Sequence, residues 1–243
     1  MKSTIDTSLE RIAPDELNAA DAFDMATLKL HRERYQFAID HLAPGRILDI
    51  ACGTGYGSFQ MMNAGKLSGS YCTAVDISAH AIEYARSRYA HQAIEYVCED
   101  CMKFTSSVPF NAIVSLETVE HIKYPDLFVK RLYDLLRPGG LLIISAPVTP
   151  STDGNPHHLS DFSTRSFRKL VAKYRFEEIN HMTQAQDYSL RMLGSSKNRR
   201  LAQSRTGLLK FYLGHPSVFS FRLLSLLKDG FRNKYLTLAL RKP

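Results

Sequence analysis

The run Ile47-Leu48-Asp49-Ile50-Ala51-Cys52-Gly53-Thr54-Gly55-Tyr56-Gly57 constrains this chain more than any other feature. An apolar, β-branched lead enters a glycine-dense turn, and the apolar positions Phe59, Met61 and Met62 follow. That order predicts strand, tight turn, helix. Glycines there let the backbone take positive φ and let a ligand come close. They also aim helix N-terminal N–H groups at whatever sits in the turn. Asp76 closes the next strand-like run, Tyr71–Val75. A carboxylate about 20 residues beyond such glycines, at the tip of the second strand, is placed to hold a ribose diol. A dinucleotide site would want the spacing G-x-G-x-x-G. Here it is Gly53-x-Gly55-x-Gly57, preceded by Asp49.

Beyond this turn the chain alternates regularly. Residues 15–42 read as a helix ended by Pro44-Gly45, and residues 1–14 as a loose tail. Strands are expected at 46–51, 71–77, 94–98, 110–116 and 141–146. Helices are expected at 56–64, from a Ser78 cap to Tyr89, at 125–136 before Pro138-Gly139-Gly140, and from a Ser163 cap to Tyr174. Two late strands, 176–183 and 235–241, complete the pattern. Strict βα alternation implies a parallel sheet with right-handed crossovers. Residues 184–234 between the late strands are too many for a hairpin loop and read as an insertion with its own helices. At 243 residues the chain suits one domain, 1–243.

Composition narrows the function classes. No stretch approaches the ~18 apolar residues of a membrane span, and the first residues lack the apolar core of a signal peptide. A cytoplasmic chain is expected. Four cysteines fall in the sheet half. Cys98-x-x-Cys101 alone does not make a zinc site, so free thiols, buried or half-buried, are expected. Charge is uneven: residues 191–234 carry ten Lys/Arg against the single acid Asp229, a net +9 of the chain's +7, leaving −2 for the rest.

The ordered motifs resemble those of the class I S-adenosylmethionine-dependent methyltransferases over roughly residues 28–183 and the last strand. Asp49 with Gly53, Gly55 and Gly57 is similar to their first motif, and Ala51 stands where a glycine is common. Leu136-Arg137-Pro138-Gly139-Gly140 resembles the turn before their fifth strand. The resemblance implies a seven-stranded, mostly parallel Rossmann-like sheet with an antiparallel last strand, a helical N-terminal lid (1–42 with the tail) and S-adenosylmethionine as cofactor. It implies that Asp49, Gly53 and Gly55 meet the methionine end and that Asp76, with Ile77 beside it, holds the ribose. Asp100, with Cys101 beside it, would accept from the adenine amine, and Leu116-Glu117 would lie under the cofactor. His31, Arg34 and Tyr35 resemble a His…Arg-Tyr set on the lid helix of enzymes from glycan-assembly clusters, with Tyr35 the best candidate for cofactor contact.

Glu117-Thr118-Val119-Glu120-His121 follows the fourth strand. If it opens a helix, Glu117, Glu120 and His121 share a face. Asn155-Pro156-His157-His158 lies in the loop after the fifth strand, over the same strand ends. Two carboxylates and two imidazoles then suit a divalent cation such as Mg²⁺ or Mn²⁺ better than a structural zinc. The set is similar to that of small-RNA ribose methyltransferases and ubiquinone-type O-methyltransferases, and the Asn-Pro-x-His register of glycan-cluster enzymes selects His158. His121 and Glu117 are the expected catalytic residues: without a metal, Glu117 caps the helix and His121 contacts substrate or acts as a base.

Residues 207–228 interleave leucine and phenylalanine with lysine and arginine. Such a segment suits a lid over the acceptor pocket or peripheral contact with the inner face of a membrane. It is too apolar for a phosphate-binding arm alone, so nucleic acid is not an expected partner. The expected reaction is O-methylation of a sugar or lipid-linked glycan hydroxyl. The alternatives are a quinone or other small molecule, or a cofactor-binding subunit without turnover.

Overall fold

The computed structural model of the chain describes residues 11–187, 207–230 and 232–243. Seven strands form one sheet in the order β3-β2-β1-β4-β5-β7-β6. They are β1 (Arg46–Ile50), β2 (Tyr71–Asp76), β3 (Ile94–Cys98), β4 (Phe110–Ser115), β5 (Leu136–Pro147), β6 (Glu177–Asp187) and β7 (Arg232–Arg241). The first five run parallel, and β7 runs antiparallel between β5 and β6. The order reverses between β1 and β4, whose carboxyl ends flank the crevice where open α/β sheets bind ligands. Asp49 sits there, in register with Ala74 on one side and Val114 on the other.

The inner parallel strands β1, β2, β4 and β5 are largely buried on both faces because helices cover both, whereas the edge strand β3 is partly exposed. On one face, α1 (Ala22–His41), α2 (Tyr56–Met62) and α3 (Ala79–Arg88) bury Leu28, Phe37, Met61 and Ile82 against Ile47, Cys72 and Ala74. On the other, α4 (Pro125–Leu135) and α5 (Thr164–Ala172) bury Phe128, Leu132, Phe167 and Val171 against Leu48, Ile50, Ile113 and Ile144. Helix starts follow local chemistry. The Asp21 carboxylate accepts from Phe23 N and Asp24 N, Ser78 caps α3, Pro125 opens α4, and Ser163 with Ser166 forms a capping box on α5.

Four expectations need correction. Residues 11–13 are not loose tail: Arg11, Ile12 and Ala13 are buried, and Thr54 Oγ1 donates to Ile12 O at 2.5 Å. Pro138-Gly139-Gly140 does not separate helix from strand, because β5 begins at Leu136 and the turn pairs with the C-terminus through Gly139 N to Lys242 O (3.0 Å) and Lys242 N to Gly140 O (2.9 Å). The insertion is shorter than 184–234, since β6 continues to Asp187 and β7 starts at Arg232. Cys98 is exposed rather than buried; Cys101 is half-buried, and Cys52 and Cys72 are buried. Within the insertion, α6 (Leu208–Gly214) and α7 (Pro216–Asp229) are described. The basic residues Arg191, Lys197, Arg199, Arg200 and Arg205 lie outside the described residues.

Candidate active site

A cavity of about 530 Å³ opens over the carboxyl ends of β1, β2 and β4. Its wall includes Tyr35, Gly53, Asp76, Ile77, Asp100, Cys101, Leu116, Glu117, His121 and His158. Sequence-predicted residues from six separate segments thus meet in one place.

The glycine turn is set by close packing. Gly55 has φ +82°, and a Cβ there would meet Ala85 Cβ at 2.6 Å and the Tyr96 ring at 2.8 Å. Gly57 touches the Tyr35 ring, where a Cβ would come within 1.9 Å. Tyr35 therefore joins α1 to α2, and its hydroxyl donates to Asp49 Oδ2 at 3.2 Å. Ser58 Oγ donates to the same oxygen at 2.5 Å. Asp49 is fully buried, and it and Gly55 lie behind the cavity wall rather than on it. Burial pushes the Asp49 carboxyl up to about 7, against the opposing pull of the Ser58 and Tyr35 hydrogen bonds. Burial likewise drives the Tyr35 hydroxyl and the Cys52 thiol well above their ordinary values.

Asp76 faces the cavity at the tip of β2. Its Oδ2 accepts Gly53 N at 2.9 Å, tying strand end to glycine turn, and its Oδ1 accepts Ser78 N at 2.9 Å. Arg11 also donates to Oδ1, from Nε at 3.2 Å and Nη2 at 2.8 Å. Nothing in the sequence marked Arg11, a lone cation ahead of a helix. Ile77 next door is 59% exposed, an apolar side chain held at the cavity rim. With Leu116 and Cys101 on the same wall it fits a flat ring, and Asp100, whose Oδ1 accepts Met102 N at 2.8 Å, lies beside them. The carboxylate, the close-packed turn and the apolar slot fit a nucleoside cofactor. Burial raises the Cys101 thiol to about 12, so it remains protonated there.

The segment after β4 differs from expectation in its backbone. Residues 117–121 do not open an α-helix. Glu117 takes φ +50°, a single 3-10 turn covers Val119–His121, and α4 waits until Pro125. Glu117 therefore leaves the face shared by Glu120 and His121. Its N–H donates to Ser145 Oγ (3.0 Å), which donates back to Glu117 Oε1 (2.6 Å). The same oxygen lies 3.8 Å from Nε of Arg34, a buried cation stacked 4.5 Å over the Tyr235 ring. Glu120, His121 and His158 do converge, with one ligand atom of each lying within 4.8 Å of the others. The His121 and His158 rings stand 4.6 Å apart and nearly perpendicular.

The loop after β5 brings His158 in. Asp161 accepts from Ser151 N (2.7 Å), Thr152 N (3.0 Å) and Thr152 Oγ1 (2.6 Å), folding the loop on itself. Leu159 N then donates to Glu120 O at 2.8 Å, fastening the loop to the 3-10 turn. From outside, α7 clamps it. Arg222 donates to both Asp153 oxygens, Nε to Oδ2 at 2.7 Å and Nη2 to Oδ1 at 2.5 Å, and Nη2 also reaches Pro150 O at 2.7 Å. Tyr212 adds a hydrogen bond to Asp153 Oδ2 at 2.6 Å. Burial raises the Asp153 carboxyl, but Arg222 and Tyr212 outweigh it and hold the group below the ordinary carboxylate range. Arg222, Gln186, Asn233 and Tyr235 line the cavity and were missed from sequence. Arg222 reads there as one more cation of a basic segment.

Residues 48–144 match the family described as "Methyltransferase domain". With the relatives and solved structures that follow, this match supports a class I S-adenosylmethionine-dependent methyltransferase. The uncharacterized methyltransferase Rv0089 of Mycobacterium tuberculosis is 32% identical over 136 residues, 55% of this chain. The chain spans 66% of that relative's length. A ubiquinone biosynthesis O-methyltransferase of Xanthomonas campestris is 28% identical over 184 residues, 67% of this chain and 73% of that one. In fold, the chain is similar to the N-methyltransferase NodS of Bradyrhizobium japonicum in complex with S-adenosyl-L-homocysteine. The TM-score is 0.61 at 15% identity, over 93% of this chain and 90% of that one.

Proposed function

We propose that this methyltransferase methylates a hydroxyl of a small polar acceptor, a sugar or lipid-linked glycan, and that His121 takes the hydroxyl proton. The observation carrying this reading is the convergence of Glu120, His121 and His158, of which the two histidines line the same cavity as Asp76 and Ile77. Bound S-adenosylmethionine supplies an electrophilic methyl carbon on a sulfonium. The chain's own residues supply alignment and proton removal, the two contributions such a displacement needs. His121 Nδ1 lies 3.2 Å from His157 O, a contact that orients the ring. Arg222, Asn155, Gln186 and Asn233 give the acceptor side a hydrogen-bonding wall, which suits a polyhydroxylated molecule. The ubiquinone-type relatives favour a phenolic hydroxyl as the second acceptor class.

The same three side chains fit a divalent cation. They would offer one carboxylate and two imidazoles, with one ligand atom of each within 4.8 Å of the others. An ion held there would lower the pKa of a coordinated hydroxyl. Glu117, expected as a fourth ligand, is held by Ser145 outside this group. The test is turnover of candidate acceptors by wild type and His121→Ala, with and without chelator, alongside cofactor binding by calorimetry. The reading expects loss of turnover in His121→Ala with cofactor affinity unchanged. Activity surviving the substitution overturns the role of His121. Full activity in chelator removes the ion and leaves His121 as a metal-free base.

A further inference from the structure

The outward faces of α6 and α7 carry large apolar side chains that are exposed among the described residues. Leu209, Leu213 and Leu227 are each 78% exposed, and Leu208, Phe219, Leu223 and Leu224 are also exposed. On α7, Phe219, Leu223 and Leu227 recur at i, i+4 and i+8 with Leu224 beside them, which makes one continuous stripe. Docking runs through Tyr212 and Arg222 on Asp153, and on α7 Ser225 is buried on the side away from the stripe. The stripe is therefore not surface left by a badly seated helix. Its helix is anchored by the pairing of Arg222 with the buried Asp153 carboxylate, and its apolar face points away from the domain.

We propose that this face seats the protein on an anionic lipid surface. Two observations choose lipid over a second copy of the chain. Lys210 and Lys228 are exposed on the same helices. The stretch 188–206, which runs directly into α6, carries five Lys/Arg and no acid. Two copies would bring these like charges together, whereas acidic headgroups neutralise them. Among the described residues no helix is long and apolar enough to cross a membrane, so contact is at the interface. Arg222 lines the cavity while the outward side of the same helix bears the stripe, so the helix that meets lipid also contributes to the cavity wall. An acceptor with a lipid tail would reach the pocket from the bilayer. The lipid contact itself does not depend on the methylation reading.

The test is co-sedimentation of the full chain with vesicles of phosphatidylcholine alone and with about 30% phosphatidylglycerol. Binding to the anionic vesicles is expected at low salt and should decline as salt screens the cations. The double variant Leu224→Glu, Leu227→Glu should bind at least about tenfold more weakly, since two leucines no longer enter the interface. S-adenosylmethionine affinity, measured on the same sample, should be unchanged and shows that the variant is folded. Three results overturn the proposal: no preference for anionic over neutral vesicles, undiminished binding by the double variant, or a concentration-dependent dimer in sedimentation velocity that the double variant abolishes.

Discussion

Arg11 changes what Asp76 must do. The carboxylate expected to meet a ribose diol already accepts two bonds from a buried guanidinium and two from backbone N–H groups. A diol arriving at Asp76 competes with Arg11 for Oδ1. Replacing Arg11 with alanine should therefore tighten S-adenosylmethionine binding severalfold, by about 1 kcal/mol. Asp76→Ala should weaken it by ~1.5–3 kcal/mol, the range for a lost charged hydrogen bond. Calorimetry separates the cases: tenfold weaker binding by Arg11→Ala would mean that Arg11 holds the cofactor itself. Ala51 is a second residue with a legible cost. It stands where the family commonly has glycine and takes φ +62°, a conformation that strains a side chain. Ala51→Gly should stabilise the protein by about 1 kcal/mol in urea unfolding. An unchanged or lower midpoint would show that the backbone elsewhere already absorbs the strain.

Among elements, the strands and capped helices were readable because each is specified locally. Ser78, Ser163 and Pro125 mark helix starts within a few residues, and Tyr71–Asp76 is strand-like on its own. The segment 117–121 was not readable. Its helical spacing is real in sequence, yet Ser145, 28 residues away, holds Glu117 in a left-handed turn and diverts the chain. Arg11 and Arg222 escaped for the same reason, since their partners Asp76 and Asp153 lie 65 and 69 residues away. The α7 clamp gives a prediction at this scale. Arg222→Ala leaves the buried Asp153 carboxylate without its cation, at a cost of up to about 3 kcal/mol, so it should release the insertion from the loop after β5. Hydrogen exchange across 207–230 should accelerate sharply while β1 and β4 stay protected. Asp153 is held below the ordinary carboxylate range, so its contribution is present above the unfolded value near ~3.9 and lost only as pH falls through the lower folded value. The clamp should then persist at pH 5. Wild-type protection at 207–230 equal to that of Arg222→Ala would show that the ion pair does not hold the insertion down.

For the whole molecule, the sheet order could be anticipated because βα alternation admits few right-handed solutions. The consequence of burying a carboxylate at its centre could not. Asp49 lies between β2 and β4, sealed by α1 and α2, and its folded pKa near 7 sits well above the ordinary value near ~3.9. Between those values the folded protein binds a proton that the unfolded chain has lost. The stabilisation is complete below the unfolded value and disappears as pH rises through about 7. A three-unit difference sets a ceiling of about 4 kcal/mol. Unfolding by urea at pH 5 and pH 8 should show a loss of stability in the cofactor-free wild type that Asp49→Asn lacks. The cofactor adds the opposite bias. Its sulfonium and ammonium favour the ionised carboxylate, so binding near pH 6.5 should release a proton, and affinity should rise with pH up to about 7 and then level. Calorimetry in two buffers of different ionisation enthalpy measures that proton directly. Identical pH profiles for wild type and Asp49→Asn, or binding without proton release, would show that Asp49 is already ionised in the empty protein.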